Sequence, residues 1–299
     1  MPIKNAVERK RGNRIGFWFF RASVQVFGLG GAYGLLYFVA LHYLLFDRAA
    51  VAASMAYVVK RFPEHGRLAR RLDVYRLFVS QGKSLIDRYY VAAGGRGIDM
   101  EMRGYDRIKE LLSRGKGLIL LTAHVGNWQV AMTALRRLEK TVHLLMRPED
   151  NAAVKEALNI DGGNEAVRVL STEDALGGVV EALKAIDRGD LLSIMGDRTY
   201  DYGSVEASFF GSPVPFPYGA FSIAAAAQCP VVVLLTAKTG RKKYIIDVTH
   251  VIEPPSGRRE KKQEQIRSCV QEFASVLEDY ARTYPYQWFV FRDMWQGNK

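Results

Sequence analysis

Cysteine is nearly absent from this chain of 299 residues, with two in all. Cys229 and Cys269 sit in helical or apolar surroundings without a Cys-x-x-Cys spacing. That excludes a disulfide scaffold and fits two reduced thiols. Two thiols and five scattered histidines offer no tetrahedral ligand set, so no metal site is expected. Acidic charge is also scarce. Asp and Glu number 31 against 42 Lys and Arg, a formal net charge of +11, and the pI is about 9.6. Such an excess points to an anionic partner: nucleic acid, a membrane surface or an acidic carrier protein. Zinc-ligand spacing, an RNA-recognition signature and a basic helix suited to a DNA groove are all missing, which sets nucleic acid aside. Internal repeats and low-complexity linkers are missing too. With hydrophobic residues at 48%, the length fits one large α/β domain with appendages.

The N-terminus holds the longest uncharged run. Lys4, Arg9, Lys10, Arg11, Arg14 and Arg21 precede it against the single acid Glu8. From Ala22 to Phe46 there is no Asp, Glu, Lys or Arg. As a straight helix this stretch reaches roughly 37 Å, enough to cross a bilayer core. A membrane anchor is therefore expected over residues 1–50, with the body in 51–299. Gly28, Gly30, Gly31 and Gly34 could kink that helix or fold it into an in-plane or re-entrant segment, and a buried helix is the third reading. Arginines and lysines both before the run and after it, from Lys60 to Arg76, favour the same side of a membrane.

Residues 48–92 read as helical, with apolar positions at helical spacing among arginines. Beyond Gly94 short apolar runs alternate with helical stretches. Leu118–Ala123 is continuously apolar, as expected of a strand covered on both faces. Val142–Met146, Val167–Leu170, Leu191–Met195 and Val231–Ala237 read as further strands. Tyr244–Ile252 reads as an antiparallel return after the Thr239-Gly240-Arg241 turn. Helices are expected over 128–138, 151–158, 174–188, 217–228 and 260–283. The alternation predicts an α/β fold with a mostly parallel central sheet.

The sharpest local feature is His124-Val125-Gly126-Asn127-Trp128-Gln129, directly after the Leu118–Ala123 strand. Ligands of open α/β sheets bind at strand C-terminal ends. A neutral imidazole there could take a proton from an alcohol. Asn127 could cap the following helix, and free backbone N–H groups in the turn could hold an oxyanion. Asp197-Arg198 ends another strand, and its alternative reading is a salt bridge bracing a loop. Arg147 follows a third strand, as a carrier-phosphate or headgroup contact or as a solvated loop charge.

The hexapeptide resembles the His-x-Gly-Asn-Trp-Glu form of the His-x4-acid motif in the lysophospholipid acyltransferase superfamily. The nearest branch is that of bacterial lipid A late acyltransferases. Met195-Gly196-Asp197-Arg198, Phe209-Phe210-Gly211-Ser212-Pro213, Phe216-Pro217-Tyr218-Gly219 and Pro285-Tyr286-Gln287-Trp288-Phe289 are similar to further family segments, in the family's order. The resemblance implies one glycerol-3-phosphate acyltransferase-like α/β domain behind an N-terminal membrane-associated helix. It implies an O-acyltransferase of the bacterial inner membrane, facing the cytoplasm. Acyl carrier protein or coenzyme A would bring the acyl thioester, and a membrane lipid or glycolipid would accept it, with no other cofactor. His124 would be the base, and Gln129 stands where the family has its acid. Asp197 could supply the missing carboxylate. Alternatively the chain works with less driving force, or it is a degenerate homologue that binds lipid without turnover. Gly126, Asn127, Trp128, Arg147, Arg198, Phe210, Gly211 and Gly219 are the expected substrate contacts. Trp288, Phe289, Phe291 and Trp295 are assigned to packing.

Overall fold

Leu118–Thr122 (β2) is buried at every position, because helices cover both faces of the sheet it crosses. The computed structural model describes residues 14–92, 94–147, 166–173, 178–199 and 203–295. The expected helix at 151–158 and the start of that at 174–188 lie outside the described residues. Beside β2 run Val142–Met146 (β3), Val167–Ser171 (β4), Leu191–Met195 (β5) and Val231–Gly240 (β8). Asp99–Arg103 (β1) and Lys243–Asp247 (β9) extend the sheet to the order β1-β9-β8-β2-β5-β3-β4. Every pair is parallel except β8 with β9. The mostly parallel α/β sheet is as expected.

Strand β1 is absent from the sequence reading, and three further elements depart from it. The helical region 48–92 is two helices, Arg48–Arg61 (α2) and Arg67–Ala92 (α3). Pro63 and Gly66 lie in the break, where proline has no N–H to continue the ladder. The return strand is interrupted: after β9 the chain runs to Val251–Ile252 (β10), which pairs antiparallel with the start of β8. Ser204–Phe209 (β6) and Ser212–Pro217 (β7) form a separate hairpin that the sequence hides. Pro213, Pro215 and Pro217 fall at alternate positions of β7, which proline tolerates on an edge strand. The two-residue loop has Phe210 at φ 47° and Gly211 at φ 70°. Two positive φ values are those of a type I′ hairpin turn, which matches the strands' twist.

On one face of the sheet lie Tyr105–Leu112 (α4) and Trp128–Leu135 (α5), around a core of Leu120, Met132, Leu135, Val232 and Leu234. The larger core holds Val179–Asp187 (α6), Gly219–Ala227 (α7) and Arg259–Thr283 (α8), with Phe209, Phe216, Phe221, Phe273 and Trp288 buried inside it. The same core continues to α2, α3 and the N-terminal helix Arg14–Phe46 (α1). That helix is bent at Gly28, whose φ of 64° and ψ of −171° are not helical. Its stretch Ser23–Phe46 is long and apolar enough to cross a membrane, by length and composition.

Candidate active site

The register of β2 with β5 sets Thr122 opposite Met195. His124 and Asp197 each follow two residues later, so neighbouring parallel strands deliver both to one spot beyond the sheet. The imidazole Nδ1 stands 2.8 Å from Asp197 Oδ1. The backbone N–H of His124 donates to Asp197 Oδ2 at 2.9 Å. Trp288 Nε1–H donates to the same oxygen at 3.0 Å. Asp197 is fully buried, while the His124 side chain keeps 22% of its surface exposed. Burial alone would raise the Asp197 carboxyl. The His124 charge and hydrogen bond, with Arg198 nearby, outweigh it and hold the group well below the usual carboxylate range. An ionised carboxylate can only accept, so Nδ1 carries a proton in either charge state, and in the neutral ring Nε2 is the basic atom.

Backbone bonds to the C-terminal stretch fix the turn holding His124. Gly126 N–H donates to Gln287 O at 2.8 Å, and Phe289 N–H donates to His124 O at 2.7 Å. Val125 bridges Trp288 between them. The Gln287 amide in turn takes Lys238 N–H at 2.7 Å and donates to Lys238 O at 2.9 Å, stitching this stretch to β8. Gly126 has φ 50°, and a Cβ there would come within 1.9 Å of Thr236 O. Only glycine fits.

The expectation of free N–H groups in this turn is overturned. Those of His124 and Gly126 are bonded as above, Val125 donates to Ala123 O at 2.7 Å, and Asn127 donates to Thr236 Oγ1 at 2.8 Å. An oxyanion must be met by other donors. Asn127 is a helix cap: it accepts from Val130 N–H at 3.4 Å and donates Nδ2–H to Ser84 O at 2.8 Å. Trp128 opens α5 and is half-buried.

Gln129 does not face the imidazole's bonded nitrogen. Its Oε1 accepts from Arg88 Nη1 of α3 at 2.7 Å. Arg198 donates Nη2–H to Phe289 O at 3.3 Å, and its buried Nε has no partner among the described residues. Arg147 is half-buried just past the end of β3, the strand beside β5. Phe210 and Gly211 make the hairpin turn, with Phe210 N–H on Glu278 Oε2 at 2.5 Å. Gly219 begins α7. These last three are not gathered with His124 by any described contact.

Two residues that sequence reasoning did not place at this site belong here. Trp288, assigned to packing, is wholly buried with its indole N–H on Asp197. Arg88 reads in sequence as one more base on a basic helix. No spacing signals either, because both contacts span the fold.

Three other histidines meet carboxylates. His143 meets Asp190 at 3.0 Å, His65 meets Asp73 at 2.7 Å, and His250 meets Glu272 at 2.8 Å. Burial pushes the Cys229 thiol up to about 12 and raises Cys269, so neither thiol suits nucleophilic work. Among the described residues no three His, Cys, Asp or Glu side chains are grouped to hold a metal. Residues 47–297 match the model of a family described as bacterial lipid A biosynthesis acyltransferase. No curated protein matches the chain.

Proposed function

The chain belongs to the bacterial lipid A biosynthesis acyltransferase family, and from that premise we propose that His124 is the general base of an acyl transfer from a thioester to a lipid hydroxyl. The observation that carries the reading is the 2.8 Å contact between His124 Nδ1 and a fully buried Asp197 carboxylate. The carboxylate holds the tautomer in which Nε2 has a lone pair, and it stabilises the imidazolium that forms. Nε2 removes the hydroxyl proton as the alcohol oxygen attacks the thioester carbonyl. The tetrahedral intermediate collapses, the C–S bond breaks, and the imidazolium returns its proton to the thiolate. An ester and a free thiol result, without a covalent enzyme intermediate and without a cofactor beyond the co-substrate.

The donor is acyl carrier protein or acyl-coenzyme A, and the acceptor is a membrane lipid or glycolipid. Arg198 and Arg147, past the ends of β5 and β3, are suited to anionic groups on either. The site faces the cytoplasm from the inner membrane. Gln129 in place of the acid is what would favour a chain that binds lipid without turnover. The Asp197 contact supports turnover, because a carboxylate already stands where the imidazole needs one.

The test is free-thiol release from acyl carrier protein and acyl-coenzyme A thioesters, with a total bacterial lipid extract as acceptor. Lipid-dependent release that is lost in His124→Ala is the expected result. A folded wild-type chain that binds lipid but releases no thiol from either donor would sink the proposal.

A further inference from the structure

The apolar helix α1 is packed on charged groups along the middle of its apolar run. Tyr33 donates its hydroxyl to Asp87 of α3, a wholly buried carboxylate that also receives Tyr244 Oη–H and Lys238 Nζ–H, each at 2.5 Å. Lys83 Nζ donates to Tyr37 Oη at 3.0 Å. The Arg241 guanidinium lies so close to Gly30 that a Cβ there would meet Nη2 at 2.3 Å. Leu36 fills the space that Gly82 of α3 leaves, where a Cβ would come within 2.2 Å of Leu36 Cδ1. These contacts tie positions 30–37 of α1 to α3, β8 and β9.

A helix that crossed the bilayer along Ser23–Phe46 would hold positions 30–37 near the midplane. Asp87, Lys238, Lys83, Arg241 and the end of the central sheet would be held there too. Lipid does not admit open sheet or loop backbone at that depth, and intramembrane charge is expensive. The bend at Gly28 also breaks the run into two pieces. The opposite face has the complementary character. Val26, Phe27, Phe38, Leu45 and Phe46 are 62–74% exposed. On α3, Leu68 is 83% exposed and Leu72 47%. They lie on the stripe that leads to Tyr75, whose hydroxyl donates to Tyr37 O of α1 at 3.1 Å. Exposed Arg67 and Arg71 stand beside these leucines.

We propose that α1 does not cross the membrane: it lies along an anionic phospholipid surface, with this outer apolar face in the lipid and the arginines of α3 on the headgroups. The polar body stays on the side from which the helix approaches. This is the geometry of an interfacial helix, whose binding combines apolar burial with attraction to anionic lipid. It goes beyond the acyl-transfer reading and does not depend on it.

The test uses the full chain in membrane vesicles of both orientations and a membrane-impermeant maleimide. Asn5→Cys reports the arm before α1. Glu64→Cys, whose side chain is 65% exposed, reports the turn between α2 and α3. The parent chain, with both cysteines buried, gives the background. Labelling of both positions from the same face is expected. Labelling from opposite faces overturns the proposal. In a second measurement, Phe38→Ser with Leu41→Ser, the latter 45% exposed on the same helix, lowers partitioning onto vesicles containing anionic phospholipid by roughly tenfold or more. Unchanged partitioning of the folded double variant would count equally against it. An enzyme that proved inactive in thiol release would leave both readouts intact, so the two proposals fail separately.

Discussion

The amide oxygen of Gln129 accepts a hydrogen bond from Arg88 at 2.7 Å, and it is this arginine, not the site histidine, that the last residue of the motif holds. Its work is to join α5 to α3 beside the site. Replacing the amide by a carboxylate turns a neutral acceptor into an ionic one for the same donor. Gln129→Glu is therefore expected to keep thiol-release activity within about threefold and to leave stability equal or higher. Gln129→Leu removes one acceptor of a half-buried guanidinium and is expected to cost about 1–3 kcal/mol in urea denaturation. A hundredfold loss of kcat in a stable Gln129→Glu would place Gln129 on the reacting groups after all.

Asp197→Asn keeps the shape but presents an uncharged amide to Nδ1. The imidazole loses its enforced tautomer and the charge that steadies its protonated form. By analogy with carboxylates in other base-orienting sets, kcat is expected to fall by about 10³–10⁴ with KM little changed. Steady-state thiol release measures both. A loss under tenfold would mean that the buried carboxylate braces the loop and no more.

Trp288→Phe leaves an aromatic ring against Tyr57 and Phe209, whose ring centres each lie 5.1 Å away, and deletes only the indole donor to Asp197. A hydrogen bond to a charged group contributes about 1.5–3 kcal/mol. Denaturation midpoints should fall by that order. Activity should fall roughly tenfold, because the carboxylate is held by one donor fewer. Trp288→Ala would test packing instead, and its larger loss would be uninformative about the hydrogen bond.

Stability should also depend on acid through Asp197. Its carboxyl is held below the usual range in the folded chain, so folding favours the deprotonated form. The contribution is fully present above the unfolded carboxylate pKa of about 3.9 and is lost as pH falls below it toward the folded value. Urea midpoints measured downward from neutral pH should drop on entering that window. Asp197→Asn should drop less steeply there. Parallel acid limbs in the two proteins would contradict the assignment.

Two glycines with positive φ should answer differently to alanine. At Gly211, in the hairpin turn, no atom lies within 4 Å of the added Cβ, so only backbone strain is felt, about 1 kcal/mol. At Gly126 the Cβ meets Thr236 O as well, and the turn carrying His124 must move. Activity in Gly126→Ala should be lost even where the chain still folds. Thermal melts paired with thiol release separate the two effects.

Much of the sheet is legible in the sequence. Val142–Met146 and Leu191–Met195 are mostly apolar runs, each broken by one polar residue, and the structure gives strands with the same ends. The placement of His124 and Asp197 just past strand ends follows from those runs. Periodicity could not supply which strands are neighbours, and adjacency of β2 and β5 is what brings the two side chains together. The hairpin 204–217 stays hidden because its prolines argue against a strand. The arc from Trp288 to Asp197 spans 91 positions, beyond any local pattern. The free N–H groups expected around His124 fail largely for the same reason: the acceptors of His124, Gly126 and Asn127, on Asp197, Gln287 and Thr236, come from distant segments.

The closure of the His124 turn by Gln287–Phe289 has a mechanical consequence. None of the sheet's strand pairings uses this segment, yet it holds the Gly126 N–H, the His124 carbonyl and one donor to Asp197. A displacement of these three residues would therefore slacken the imidazole and its carboxylate together while every strand stays paired. The clasp, not the sheet, sets how firmly the two side chains face each other.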